Sequence, residues 1–131
     1  MKTNKLTGVW MDYSKAEIME VQGELITSKV IESDFTFEEK QHSFFRNEGL
    51  MHKKEQRLEG EYFKNIMKEL ATCKQVVLFG PGDAKNELFN RITSDPHFKS
   101  IRVSVEPTDK LTENQRQSFV RNFFHVTSPA L

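Results

Sequence analysis

At 131 residues, 37% hydrophobic and 29% charged, the chain suits one domain, which at that size buries about two-thirds of the surface its unfolded form exposes. Nineteen basic residues balance nineteen acidic ones, so no global field draws it to nucleic acid or to a membrane, and any such binding needs a local patch. Eleven Phe argue against disorder, and a single cysteine, Cys73, excludes an internal disulfide; no Cys/His pair has zinc-finger spacing.

The N-terminus, Met1-Lys2-Thr3-Asn4-Lys5, is basic but lacks the apolar stretch of a signal peptide. No apolar run approaches the roughly 20 residues that span a bilayer. With one cysteine, this composition reads as cytoplasmic and without a membrane partner. Leu6–Asp12 and Ala16–Val21 read as strands separated by the turn Asp12-Tyr13-Ser14-Lys15. The second strand sets Ala16 and Ile18, and less strictly Met19 and Val21, against Glu17 and Glu20, a period of two. After a turn at Gln22-Gly23-Glu24, the β-branched run Leu25–Ile31 makes a third strand of an antiparallel meander.

Residues 34–52 show no period. Phe35, Phe37, Phe44 and Phe45 are scattered among charged residues, which reads as a long loop. Lys53–Thr72 reads as a helix, with Leu58, Tyr62, Ile66 and Leu70 on one face, widened by Phe63 and Met67. Lys54, Arg57, Lys64 and Lys68 interleave with Glu55, Glu59, Glu61 and Glu69 on its solvated side. Val76-Val77-Leu78-Phe79 is a strand apolar enough to be buried on both faces.

Gly80-Pro81-Gly82 ends that strand, and Asp83 is placed to cap a helix running to about Thr93 through Leu88, Phe89 and Ile92. A glycine turn before a helix N-terminus can bind an anion. This one matches neither a Walker loop nor a dinucleotide fingerprint, Pro81 removes a donor, and the Asp83 carboxylate repels a phosphate. Ile101, Val103 and Val105 mark a further strand. Thr112 can cap a last helix to about His125, with Phe119, Val120, Phe123 and Phe124 facing inward; residues 126–131 read as a loose tail. The order β-β-β-α-β-α-β-α predicts a single α/β domain of ribonuclease-H-like type, a mixed sheet flanked by helices.

Val76 to Gly82 followed by Lys85 resembles the apolar strand, Gly-Pro-Gly and trailing lysine in the central domain of archaeal and eukaryotic class-1 release factors and Pelota. Gly8-Val9-Trp10-Met11-Asp12 is similar to the opening strand of that domain, and Phe44-Phe45-Arg46 through Arg57 to its long loop and basic helix start. The resemblance runs from Leu6 to Phe124 and marks Gly80, Pro81, Gly82 and Lys85 as the family turn. It implies a standalone relative of that domain, without the codon-reading and partner-binding domains of those proteins. It also implies RNA contact, with ribosomal or transfer RNA, through Arg46, His52, Lys53, Lys54 and Arg57, where cations meet phosphate and nearby phenylalanines can stack on bases.

Release factors carry Gly-Gly-Gln in the long loop, where the glutamine helps water attack the peptidyl-tRNA ester. This loop offers Glu48-Gly49-Leu50-Met51, and neither Gln41 nor Gln56 has the glycines beside it. Peptide release is therefore not expected, and no cofactor or metal is implied. The leading reading is a non-catalytic RNA- or ribosome-binding domain. The second is a protein–protein interaction or assembly module, a homodimer through the Phe-rich loop. The third is a metal nuclease using Asp12, Glu59 or Glu61, and Asp83.

Overall fold

A computed structural model describes residues 6–23, 25–33 and 60–124. Arg46, His52, Lys53, Lys54 and Arg57, the expected 34–52 loop, Gln41, Gln56, Glu59 and the 126–131 tail lie outside the described residues.

The meander forms as expected. Strands β1 (Leu6–Met11), β2 (Lys15–Gln22) and β3 (Leu25–Glu32) pair antiparallel in continuous register, Val9 opposite Ile18 and Val21 opposite Ile26. The first turn is tight because Asp12 Oδ1 accepts from the Ser14 N–H at 2.8 Å, the Ser14 hydroxyl at 2.9 Å and the Lys15 N–H at 2.9 Å. Such side-chain bonds let aspartate mimic a backbone turn.

Helix α1 occupies residues 60–70. Strand β4 (Gln75–Gly80) then enters beside β1 in parallel, and β5 (Arg102–Pro107) adds in parallel to β4. Between them run helix α2 (Ala84–Thr93) and a 3₁₀ turn, Pro96–Phe98; helix α3 (Glu113–Phe124) follows β5. The sheet order is β3-β2-β1-β4-β5, the ribonuclease-H-like mixed sheet that the element order predicts.

Both faces of the sheet are covered. On one, Val9, Met11, Ile18, Val76 and Leu78 pack with Tyr62, Phe63, Ile66 and Leu70 of α1 and Leu88 and Ile92 of α2. On the other, Trp10, Met19, Val77 and Phe79 meet Val120, with Phe119, Phe123 and Phe124 beside them. The Phe79 and Phe119 rings stack with centroids 4.3 Å apart. Cys73 is buried, its Sγ 3.1 Å from Thr7 Oγ1. The cap expected at Thr112 forms as a reciprocal box: its N–H donates to Gln115 Oε1 at 2.9 Å, and the Gln115 N–H donates to Thr112 Oγ1 at 3.3 Å.

Two expectations are corrected. The alternation in β2 sets Glu17 on a solvated face, yet Glu17 is 4% exposed, because α3 covers that face. Asp83 does sit at the N-cap position of α2, but its side chain makes no capping bond. Its backbone is in the αR region rather than the extended region that aims a cap side chain back at the first turn. The carboxylate instead accepts from the Asn86 amide at 3.3 Å.

Candidate functional site

The Gly-Pro-Gly turn is built into the C-terminal edge of the parallel strands. Gly80 has φ +133°, and a Cβ there would lie 2.4 Å from the Met11 carbonyl oxygen. The chain can therefore pass this close to β1 only as glycine. Gly82 also takes a positive φ, +74°, but faces open space. Lys85 is buried on α2, and its ammonium donates to the Gly82 carbonyl oxygen. Lys85 thus closes the turn that precedes it rather than presenting a charge to solvent.

The end of β1 lies beside this turn, since Trp10 pairs with Phe79 and Gly80 is packed on Met11. Asp12 follows immediately. Partial burial pushes its carboxyl up, but the Lys15 and Ser14 N–H groups, the Ser14 hydroxyl and the Lys15 charge outweigh that and hold it below the usual value. The Tyr62 hydroxyl donates to the Asp12 carbonyl oxygen at 2.8 Å. Burial, aided by the Asp12 charge, pushes this phenol up and keeps it a donor.

The nuclease candidates are dispersed in role. Asp12 is engaged by three donors in the hairpin turn, Glu61 is exposed on α1, and Asp83 faces Asn86. Among the described residues no group of three His, Cys, Asp or Glu side chains is placed to hold a metal ion. No described helix is long and apolar enough to cross a membrane.

Sequence reasoning missed a buried cluster between the sheet and α3. Arg116 Nη1 donates to Glu17 Oε1 at 2.9 Å, Arg116 Nε donates to the Leu111 carbonyl at 3.0 Å, and the guanidinium stacks 3.8 Å from the centre of the Trp10 ring. Trp10 Nε1 is buried with no hydrogen-bond partner. The available signal was one charged residue, Glu17, at a position flanked by apolar neighbours on an interior strand.

An open groove of about 1250 Å³ separates α1 from α2 and the 3₁₀ turn. Lys64, Lys68 and Arg91 line it, balanced by Glu61, Glu87 and Asp95, and Met67 and Phe98 supply apolar surface. The Arg91 guanidinium lies 4.9 Å from the centre of the Phe63 ring. Asp95 accepts from both the N–H and the ring of His97, which hold its carboxyl below the usual value. The groove starts at Gly60, a few residues along the chain from Arg57.

This architecture is shared with proteins of the Pelota and archaeal release-factor class. The Thermoplasma acidophilum Pelota protein matches with a TM-score of 0.59 at 17% identity, over 89% of this chain and 32% of that one. Archaeoglobus fulgidus Pelota matches at 0.58 and 10% identity, over 90% and 31% respectively. The archaeal translation termination factor aRF1 matches at 0.55 and 16% identity, over 94% and 36%. The chain spans about a third of the length of each. No protein-family model and no curated protein sequence matches it.

Proposed function

We propose that this is a non-catalytic domain of the translation apparatus that contacts the ribosome or its RNA through Arg46, His52, Lys53, Lys54 and Arg57. The observation carrying this reading is the fold shared with two Pelota proteins and an archaeal termination factor over about nine-tenths of the chain. Two features support it. The Gly-Pro-Gly turn and Lys85 are joined at the end of β4, with Gly80 packed on Met11 and the buried Lys85 bonded to the Gly82 carbonyl. The basic segment runs directly into α1, whose solvated face carries Lys64 and Lys68 into the open groove. The missing Gly-Gly-Gln separates the domain from peptide release, so its role is to bind rather than to hydrolyse.

Co-sedimentation with ribosomes at low salt tests the proposal. The full chain is expected to pellet with ribosomes, and a variant with Arg46, Lys53, Lys54 and Arg57 changed to alanine is expected to stay in the supernatant. Identical behaviour of the two proteins would overturn it.

A further inference from the structure

Strand β3 is an outer strand of the sheet, with no strand paired on its far side among the described residues. It is eight residues long and pairs with β2 without a bulge. It has neither the proline nor the bulge that commonly protects an outer strand. Leu25 is 69% and Val30 54% exposed. The mid-strand cation, Lys29, is tied back over the sheet face to Glu69 of α1 at 2.7 Å.

The register tells which groups face outward. The Ser33 N–H donates to the Ser14 carbonyl at 2.8 Å, and the pairing continues through Glu32 opposite Lys15 and Ile31 opposite Ala16. Bonded and non-bonded residues alternate in an antiparallel ladder. Leu25, Thr27, Lys29 and Ile31 therefore bond to β2, while Ile26, Ser28 and Val30 turn their N–H and C=O groups away from the sheet.

We infer that β3 pairs antiparallel with β3 of a second copy of this chain, about a two-fold axis at Ser28, to make a continuous ten-stranded sheet from two copies of the five-stranded one. In that register Ser28 faces Ser28, Ile26 faces Val30, Leu25 faces Ile31 and Thr27 faces Lys29. Every pair lies on one face of the sheet, as pairing requires. The apolar residues meet one another, and between Leu25 and Ile31 no like charges are opposed. Moving the axis one residue to Lys29 sets lysine directly against lysine, which is destabilising. Moving it to Thr27 shortens the ladder. Ladder length and the avoided Lys29–Lys29 pair thus favour this self-complementary register, with about six inter-strand hydrogen bonds. One strand pair is a small interface, so the dimer is expected to be reversible and concentration-dependent.

Light scattering over a concentration series, with amide exchange read in parallel, tests this. The mass of the full chain is expected to rise from 15.3 kDa toward twice that value. Exchange at Ile26, Ser28 and Val30 is expected to slow about tenfold or more with concentration, while Thr27 and Lys29 stay unchanged. Ser28→Pro removes an outward N–H that β2 does not use, so it is expected to keep the fold and remain a monomer. Thr27→Lys places its charge beside Glu20 of the same chain but against Lys29 of the second copy, and is expected to be monomeric as well; it keeps the test valid should the proline variant not fold. A mass fixed at 15.3 kDa at millimolar concentration would overturn the inference. So would a dimer whose Ile26, Ser28 and Val30 amides are unprotected, or one that survives both substitutions.

Discussion

The Gly80-Pro81-Gly82 turn is a piece of internal architecture, and its residues are not interchangeable. Gly80 combines a φ of +133° with a Cβ position 2.4 Å from a backbone oxygen, so strain and collision act together. Gly82 has the positive φ alone and open space around it. Gly80→Ala is therefore expected to cost about 3 kcal/mol or more, because neither the Met11 backbone nor the alanine can yield cheaply. Gly82→Ala is expected to cost about 1 kcal/mol, the conformational penalty by itself. Urea midpoints of the two variants check this, and equal losses would show that the close approach to β1 does not matter. The sequence revealed the turn but not this division of labour. A glycine's φ and the distance to a strand some 70 residues earlier in the chain belong to the folded state. The same holds for Lys85, where the resemblance pointed to the residue and only the folded chain shows its ammonium on the Gly82 carbonyl.

Elements were legible where one local rule decided them. The strands of the meander, the double burial of β4, the apolar stripe of α1 from Tyr62 to Leu70 and the cap at Thr112 follow from period, β-branching and capping chemistry. What escaped was burial imposed from far along the chain. Period two marks Glu17 as solvated, and it is covered because α3 returns to that face, carrying Arg116 from 99 positions away. Gly8 belongs to the same contact. A Cβ on it would lie 2.3 Å from a Val120 methyl, so glycine is what lets α3 approach β1 so closely. The Glu17–Arg116 pair has side-chain exposures of 5% and 15%, so its loss is not the loss of a surface bridge. Arg116→Met strands a buried carboxylate and is expected to cost about 3–5 kcal/mol, whereas adding Glu17→Gln to it removes both charges and is expected to recover most of that. A double-mutant cycle by urea denaturation gives the coupling. Additive losses would mean that α3 is held by its phenylalanines and Val120 alone.

For the molecule as a whole, balanced charge makes salt dependence a sharp test of how any RNA is held. With nineteen cations against nineteen anions, non-specific attraction to phosphate has no net charge to draw on. The groove between α1 and α2 is balanced in the same way. On the proposed reading, binding uses the four cations Arg46, Lys53, Lys54 and Arg57, and each phosphate contact releases condensed counterions. For single-stranded RNA this predicts a slope of log K against log salt of about −3. The four-alanine variant is expected to fall toward zero slope as well as losing affinity. A β3-paired dimer carries two such sets of cations, so a long RNA engaging both would steepen the slope to about −6, and Ser28→Pro would return it to the single-copy value. Fluorescence anisotropy with short and long unstructured RNA, across salt, separates these cases. A slope near zero in the wild type would mean that the segment meets protein rather than phosphate, whatever the affinity.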